Sequence, residues 1–301
     1  MTLKNIFLFL LLSLANSIIL AECQNKRVKV QVLGSGGPEL TDGSASSSYL
    51  IWLDGKGIGL IDAGSGSSLN YEKSGANIND IEFFAFTHFH VDHSVDFPAY
   101  IKGAYFTHRS KNLHIFGPEG NKLMPSATKF VDKLYGEDGA FPYLNSYFSN
   151  TKESNFKVFT KNINLDKHNK QKIYKSNDYS LSAIPVHHGP LPALAWRIDI
   201  AGCSIAFSGD MNNQFQTLAV LAKDVDILVA HNAVPESQQG VGRRLHMPPS
   251  EIGQIAQLAG VKKLILSHRM SRTYGKEPET LAIIKKYYQG PILFANDMDR
   301  Y

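Results

Sequence analysis

A chain of 301 residues that is 43% hydrophobic and 19% charged can bury a full core, which excludes a disordered or fibrous polypeptide. Its formal charge of +4 is too slight to mark a nucleic-acid platform, and two cysteines cannot staple a disulfide scaffold. The length fits one large α/β unit.

The N-terminus reads as a targeting segment. Lys4 supplies a positive end, residues 6–20 are apolar apart from Ser13, Asn16 and Ser17, and Ala21 follows. This is the pattern of a secretory signal over residues 1–21, leaving 22–301 as the folded domain. The run falls short of the roughly 20 apolar residues of a membrane span. A periplasmic or secreted chain with no span after cleavage is therefore expected, an uncleaved anchor being the alternative. Glu22 before Cys23 disfavours lipidation, and Cys203 reads as a packed thiol.

Strands are expected over 28–33, 49–53 and 58–61, with a tight glycine turn at 34–38 that matches no nucleotide-binding spacing. Residues 81–87 are apolar and aromatic enough for a buried strand, and a helical or irregular stretch runs on to 105. A strand over 113–116 and a helix over 122–134 follow. Residues 136–178 are polar and weakly patterned, and read as part of a cap. Their lysines (Lys152, Lys157, Lys161, Lys167, Lys170, Lys172, Lys175) lack interleaved aromatics and read as a solvated face. Strands over 180–186, 194–200, 204–207 and 226–230 come next. A helix to 258 starting near Pro248-Pro249-Ser250, a strand over 263–266, a helix over 277–287 and a strand over 291–294 complete the chain.

The chemistry concentrates at strand ends. His88-Phe89-His90-Val91-Asp92-His93 offers three imidazoles and a carboxylate directly after the strand over 81–87. His187-His188-Gly189, Ser208-Gly209-Asp210 and Ser267-His268 repeat that placement after later strands. Ligands fanning from the C-terminal ends of strands are where α/β sheets put their sites. Imidazole and carboxylate donors suit zinc, and would also accept manganese or iron.

These motifs, ordered from Gly34 to His268, resemble the metallo-β-lactamase-fold hydrolase superfamily, and within it the ribonuclease Z and arylsulfatase-type branch. The resemblance implies an α/β protein, a four-layer αβ/βα sandwich holding two zinc ions at the edge of its sheets. It implies one zinc on His88, His90 and His188 and the other on Asp92, His93 and His268, with Asp210 and a hydroxide bridging them. His188 is preferred over His187 because it stands directly before the glycine. Asp62 matches the position that accepts the second N–H of a ligand histidine; capping a turn is its plainer role. His246 resembles the histidine that ribonuclease Z-like enzymes keep beside the metals, to protonate a leaving oxygen or hold an oxyanion. Ser271 and Arg272 resemble an H-x-S-x-R ending, with Arg272 gripping a tetrahedral anion. Asp92, His246 and Arg272 are the expected catalytic residues.

The departures also inform. Asn232 stands where ribonuclease Z carries a glutamate supporting the second histidine, no glycine-rich basic arm is present, and Ser94-Val95 replaces the glycine of many thioesterase and lactonase relatives. The expectation is an exported binuclear zinc hydrolase whose bridging hydroxide attacks a phosphate or sulfate ester. Zinc hydrolysis of carboxyl esters, lactones or β-lactams is the alternative chemistry, and a non-catalytic periplasmic metal-binding protein the alternative class. The expected partner is a small anionic ester with no nucleic acid, and a homodimer is left open.

Overall fold

Strand after strand of this chain is apolar on both faces, which demands cover on both sides. A computed structural model describes residues 27–150 and 153–301 and shows how that cover is built. The signal segment over 1–21, Cys23 and Lys152 lie outside the described residues.

The first sheet comprises β1 (Val28–Gly34), β2 (Ser48–Leu53), β3 (Lys56–Ile61), β4 (Phe83–Ala85), β5 (Leu113–Pro118) and β6 (Val158–Ile163), in that spatial order. The second comprises β7 (Gln171–Lys175), β8 (Tyr179–His188), β9 (Leu191–Ile200), β10 (Cys203–Phe207), β11 (Ile227–His231), β12 (Lys263–Ser267) and β13 (Ile292–Phe294), likewise in sequence order across the sheet. Each sheet is part antiparallel and part parallel; β3 to β6 and β10 to β13 are the parallel halves. The helices are α1 (Ser67–Ser74), α2 (Val91–Ser94), α3 (Phe97–Tyr105), α4 (Ala127–Tyr135), α5 (Leu218–Leu221), α6 (Gly240–Leu245), α7 (Pro249–Leu258) and α8 (Glu277–Ile284).

The period of two along each strand sorts side chains into separate cores. Phe83 and Ala85 join Tyr49, Trp196, Phe207 and Val229 between the sheets. Phe84, one residue out of phase, packs outward with Tyr71 of α1, Phe97 and Tyr100 of α3 and Tyr135 of α4. Ile184, Ala206 and Leu228 face the other way, against Leu218 of α5, Ile252 and Ile255 of α7 and Ile284 of α8. The result is a helix–sheet–sheet–helix sandwich, as the sequence implies. Trp196 ties its middle to the site: its indole N–H donates to the Phe86 carbonyl at 2.9 Å, two residues before His88.

The polar stretch over 136–178 is not a cap. It supplies β6, parallel to β5, and β7, antiparallel to β8, which are the outermost strands of the two sheets. The helix expected from 122 begins only at Ala127, with the Ser126 hydroxyl as N-cap accepting from the Lys129 N–H. Cys203 is disulfide-bonded and not a packed thiol.

Candidate metal centre

Beyond β4 the chain leaves the sheet, and a buried carboxylate catches it. Thr87 donates its backbone N–H and its hydroxyl to the two oxygens of Asp62, each at 2.7 Å. Asp62 holds φ at 59°, a left-handed conformation that costs a non-glycine residue about 1–3 kcal/mol and clusters at functional sites. It also accepts from His93 Nδ1 at 2.8 Å. Since the Thr87 hydroxyl hydrogen goes to Asp62, its oxygen accepts from His88 Nδ1, 3.1 Å away. Across the site His188 Nδ1 donates to the Leu245 carbonyl at 3.0 Å. Each contact places the imidazole hydrogen on Nδ1 and leaves an Nε2 lone pair. The Nε2 atoms of His88, His93 and His188 are all buried with no hydrogen-bond partner.

Those lone pairs converge on Asp210, which follows β10 through Gly209, itself at φ 59°. Asp210 Oδ2 lies 3.6 Å from His93 Nε2, 3.7 Å from His188 Nε2 and 4.0 Å from His88 Nε2. Asp210 Oδ1 lies 3.3 Å from His268 Nε2. Most of these distances are too long for hydrogen bonds and suit donors sharing an ion at about 2.1 Å. Two groups result, His88, His90, His188 and Asp210, and His93, Asp210, His231 and His268, each with ligand atoms within 4.8 Å of one another. Asp210 belongs to both. Asp92 flanks the second group, its Oδ2 3.2 Å from His268 Nε2 and 3.5 Å from His93 Nε2. Buried nitrogen and oxygen donors with orphaned lone pairs fit divalent cations. Burial would raise the Asp210 carboxyl, yet His268, His246 and His93 hold it well below the usual carboxylate range.

The structure thus brings together His88, His90, Asp92, His93, His188, Asp210 and His268. His187, on the opposite face of β8, donates instead to Asn212 Oδ1 at 3.0 Å. His231 was missed. It ends β11, one residue beyond the strand expected over 226–230, and so shares the strand-end placement of the candidate ligands.

His268, at φ 52°, is buttressed by the glycine turn after β1. Arg269 N–H donates to Ser35 O at 3.0 Å, and a Cβ on Gly37 would lie 2.9 Å from His268 Cε1. Gly37→Ala is expected to displace that ring and cut metal-dependent turnover roughly 10-fold or more, with little loss of stability, the range seen when a ligand's support is disturbed. Unaltered turnover would show that the ring tolerates the shift.

His246, at the start of the α6–α7 connection, is 8% exposed, and its Nδ1 lies 3.8 Å from Asp210 Oδ1. Burial pulls its pKa down to about 3, so the ring is neutral at physiological pH. Asn232 does not support it; its amide reaches the Val234 carbonyl at 3.4 Å and its Oδ1 is unpartnered. Arg272 is anchored by Nε to the Ala233 carbonyl at 2.7 Å and by Nη2 to Met270 Sδ. Ser271 turns away, its hydroxyl and backbone N–H both donating to Glu39.

A family profile described as a β-lactamase superfamily domain matches residues 60–269, a span that holds every one of these candidate ligands. The chain belongs to the metallo-β-lactamase superfamily. It is a metallo-β-lactamase-fold hydrolase of the ribonuclease Z branch. It is 25% identical to ribonuclease Z of Metallosphaera sedula over 81% of this chain and 89% of the relative. It is 26% identical to ribonuclease Z of Thermobifida fusca over 89% and 92% respectively. The crystal structure of the short form of human tRNase Z superposes with a TM-score of 0.69 at 18% identity, over 91% of this chain and 98% of that one. These relatives correct the expected partner. A small anionic ester with no nucleic acid is not what proteins named ribonuclease Z suggest.

Proposed function

We propose that this protein is an exported two-zinc phosphodiesterase that cleaves phosphodiester bonds in RNA. The observation that carries the reading is the sharing of Asp210 between two groups of buried, tautomer-fixed imidazoles, in a chain whose relatives are ribonucleases. Two divalent ions, when bound, lower the pKa of water towards 7 and offset the charge of a phosphoryl group. His88, His90 and His188 would hold one, and Asp92, His93 and His268 the other, with Asp210 between them.

The chain's own groups do the rest. Neutral His246 at the rim offers a hydrogen bond to the departing oxygen, supporting catalysis without an imidazolium. Arg272 is pinned through Nε and Nη2, which leaves Nη1 to meet a phosphoryl oxygen. Asn232 cannot act as a carboxylate, and Asp210 Oδ1 at 3.8 Å does not offset the burial that keeps His246 neutral. Its contribution is therefore orientation and donation.

The test is a panel of unstructured RNA, a tRNA precursor, bis(p-nitrophenyl) phosphate, an aryl sulfate, a lactone and nitrocefin, with and without chelator. Cleavage of an RNA substrate that chelation abolishes is expected. Turnover confined to sulfate, lactone or lactam, or undiminished after chelation, would overturn the reading.

Export is proposed from residues 1–21 together with the disulfide at Cys203, since disulfides persist in oxidising compartments. Intact-mass analysis should find a chain beginning at Glu22 that gains about two mass units on reduction. A full-length chain with two free thiols would contradict it.

A further inference from the structure

His231 falls within ligand distance of the second metal group, yet both of its ring nitrogens are already engaged. Nδ1 lies 2.8 Å from Asp210 Oδ1, and Nε2 lies 3.1 Å from the Tyr49 hydroxyl. A carboxylate oxygen only accepts, so the hydrogen sits on Nδ1 and Nε2 is left as an acceptor. The Tyr49 hydroxyl has a single hydrogen, shared between Nε2 and Ser267 Oγ, which accepts from it at 2.9 Å. Tyr49, His231 and Asp210 are each at most 2% exposed, so water does not compete.

The frame around this chain of contacts is rigid. Tyr49 belongs to the first sheet and His231 to the second, so the hydroxyl ties the two sheets together at the site. His231 pairs in register with Ser267, directly before His268, and its backbone N–H donates to Ser208 Oγ, two residues before Asp210. Its ring stacks on His268, centroids 4.7 Å apart.

We infer that His231 is a positioning residue, not a metal ligand: it fixes Asp210 Oδ1 between the two ion sites and is itself held by Tyr49 from the opposite sheet. The inference rests on the two-metal reading above and adds a division of labour within it. Asp210 Oδ1 is steered from one side, leaving Oδ2 facing the imidazoles of His88, His93 and His188.

Side-chain geometry gives the test. Asparagine places an amide N–H where His231 Nδ1 stands, whereas leucine fills the space with no donor. The mature protein is reconstituted with cobalt(II), and its metal stoichiometry, visible absorption spectrum and metal affinity by chelator competition are measured, alongside thermal unfolding. His231→Leu should keep two ions at saturation but bind the weaker one about 10- to 100-fold less tightly, with a shifted spectrum, the effect of losing a partner that orients a ligand. His231→Asn should recover affinity to within about threefold, and Tyr49→Phe should fall between the two. Loss of one ion from both His231 variants would make His231 a ligand and overturn the inference. So would a leucine variant indistinguishable from wild type in affinity and spectrum. Wild-type protein that binds no cobalt would sink the two-metal reading itself, and with it this inference, which separates the two failures.

Discussion

Asp210→Asn is expected to lower phosphodiester turnover on the order of 10³-fold, the several kcal/mol that metal ions contribute to stabilising developing charge. The reason is its position. Asp210 is the one side chain common to both ligand groups, with Oδ2 facing three imidazoles and Oδ1 facing His268. An amide keeps the shape but not the charge, and its NH2 group would either meet His231 Nδ1–H donor against donor or face the ion sites with no lone pair to offer. Metal content should fall along with turnover, while unfolding temperature changes little because the backbone around Gly209 is untouched. Steady-state kinetics with metal analysis of the same preparation check this. A variant with two ions and near-normal turnover would mean that the ions do not share this carboxylate.

Asp62→Ala should behave in the opposite manner, with a large cost in stability and a secondary one in activity. It removes three contacts of 2.7–2.8 Å in a fully buried setting: the Thr87 backbone N–H and hydroxyl, and His93 Nδ1. Leaving that amide and imidazole unpaired should cost about 3 kcal/mol or more. For a chain of this size the unfolding midpoint would drop by roughly 5 °C. Zinc affinity should weaken about 10- to 100-fold as His93 loses the partner that fixes its tautomer. Differential scanning calorimetry and chelator titration measure the two effects. An unchanged midpoint would show that the Thr87 turn holds without its carboxylate.

The candidate ligands are legible in the sequence because they cluster after apolar strands, and apolar strands are its plainest signal. His88, His188, Asp210 and His268 all stand just beyond such runs, and Asp62 was found by its likeness to a family position. What could not be read depends on tertiary contact. Nothing local announces the left-handed backbone of Asp62 or His268, which sit against the Thr87 turn and the Gly37 turn respectively. The edge strands β6 and β7 were missed because they bury few side chains; β6 reads Val-Phe-Thr-Lys-Asn-Ile, with only its first and last residues buried. Ser271 shows the limit of a motif: its position suggests a role beside Arg272, but Glu39, over 230 residues earlier in the chain, claims it. The nucleic-acid partner was misjudged for a related reason. Substrate class does not follow from net charge and one loop, whereas the likeness to ribonuclease Z runs over 81–89% of the chain.

Anomalous diffraction at the zinc edge from crystals of the protein, with elemental analysis of the same sample, decides whether the strand ends form a two-metal centre. Two peaks are expected, one among His88, His90 and His188 and the other beside Asp92, His93 and His268, with the Asp210 carboxylate between them. Protein without metal, or with a single ion that Asp210 does not touch, would contradict the assignment of this site.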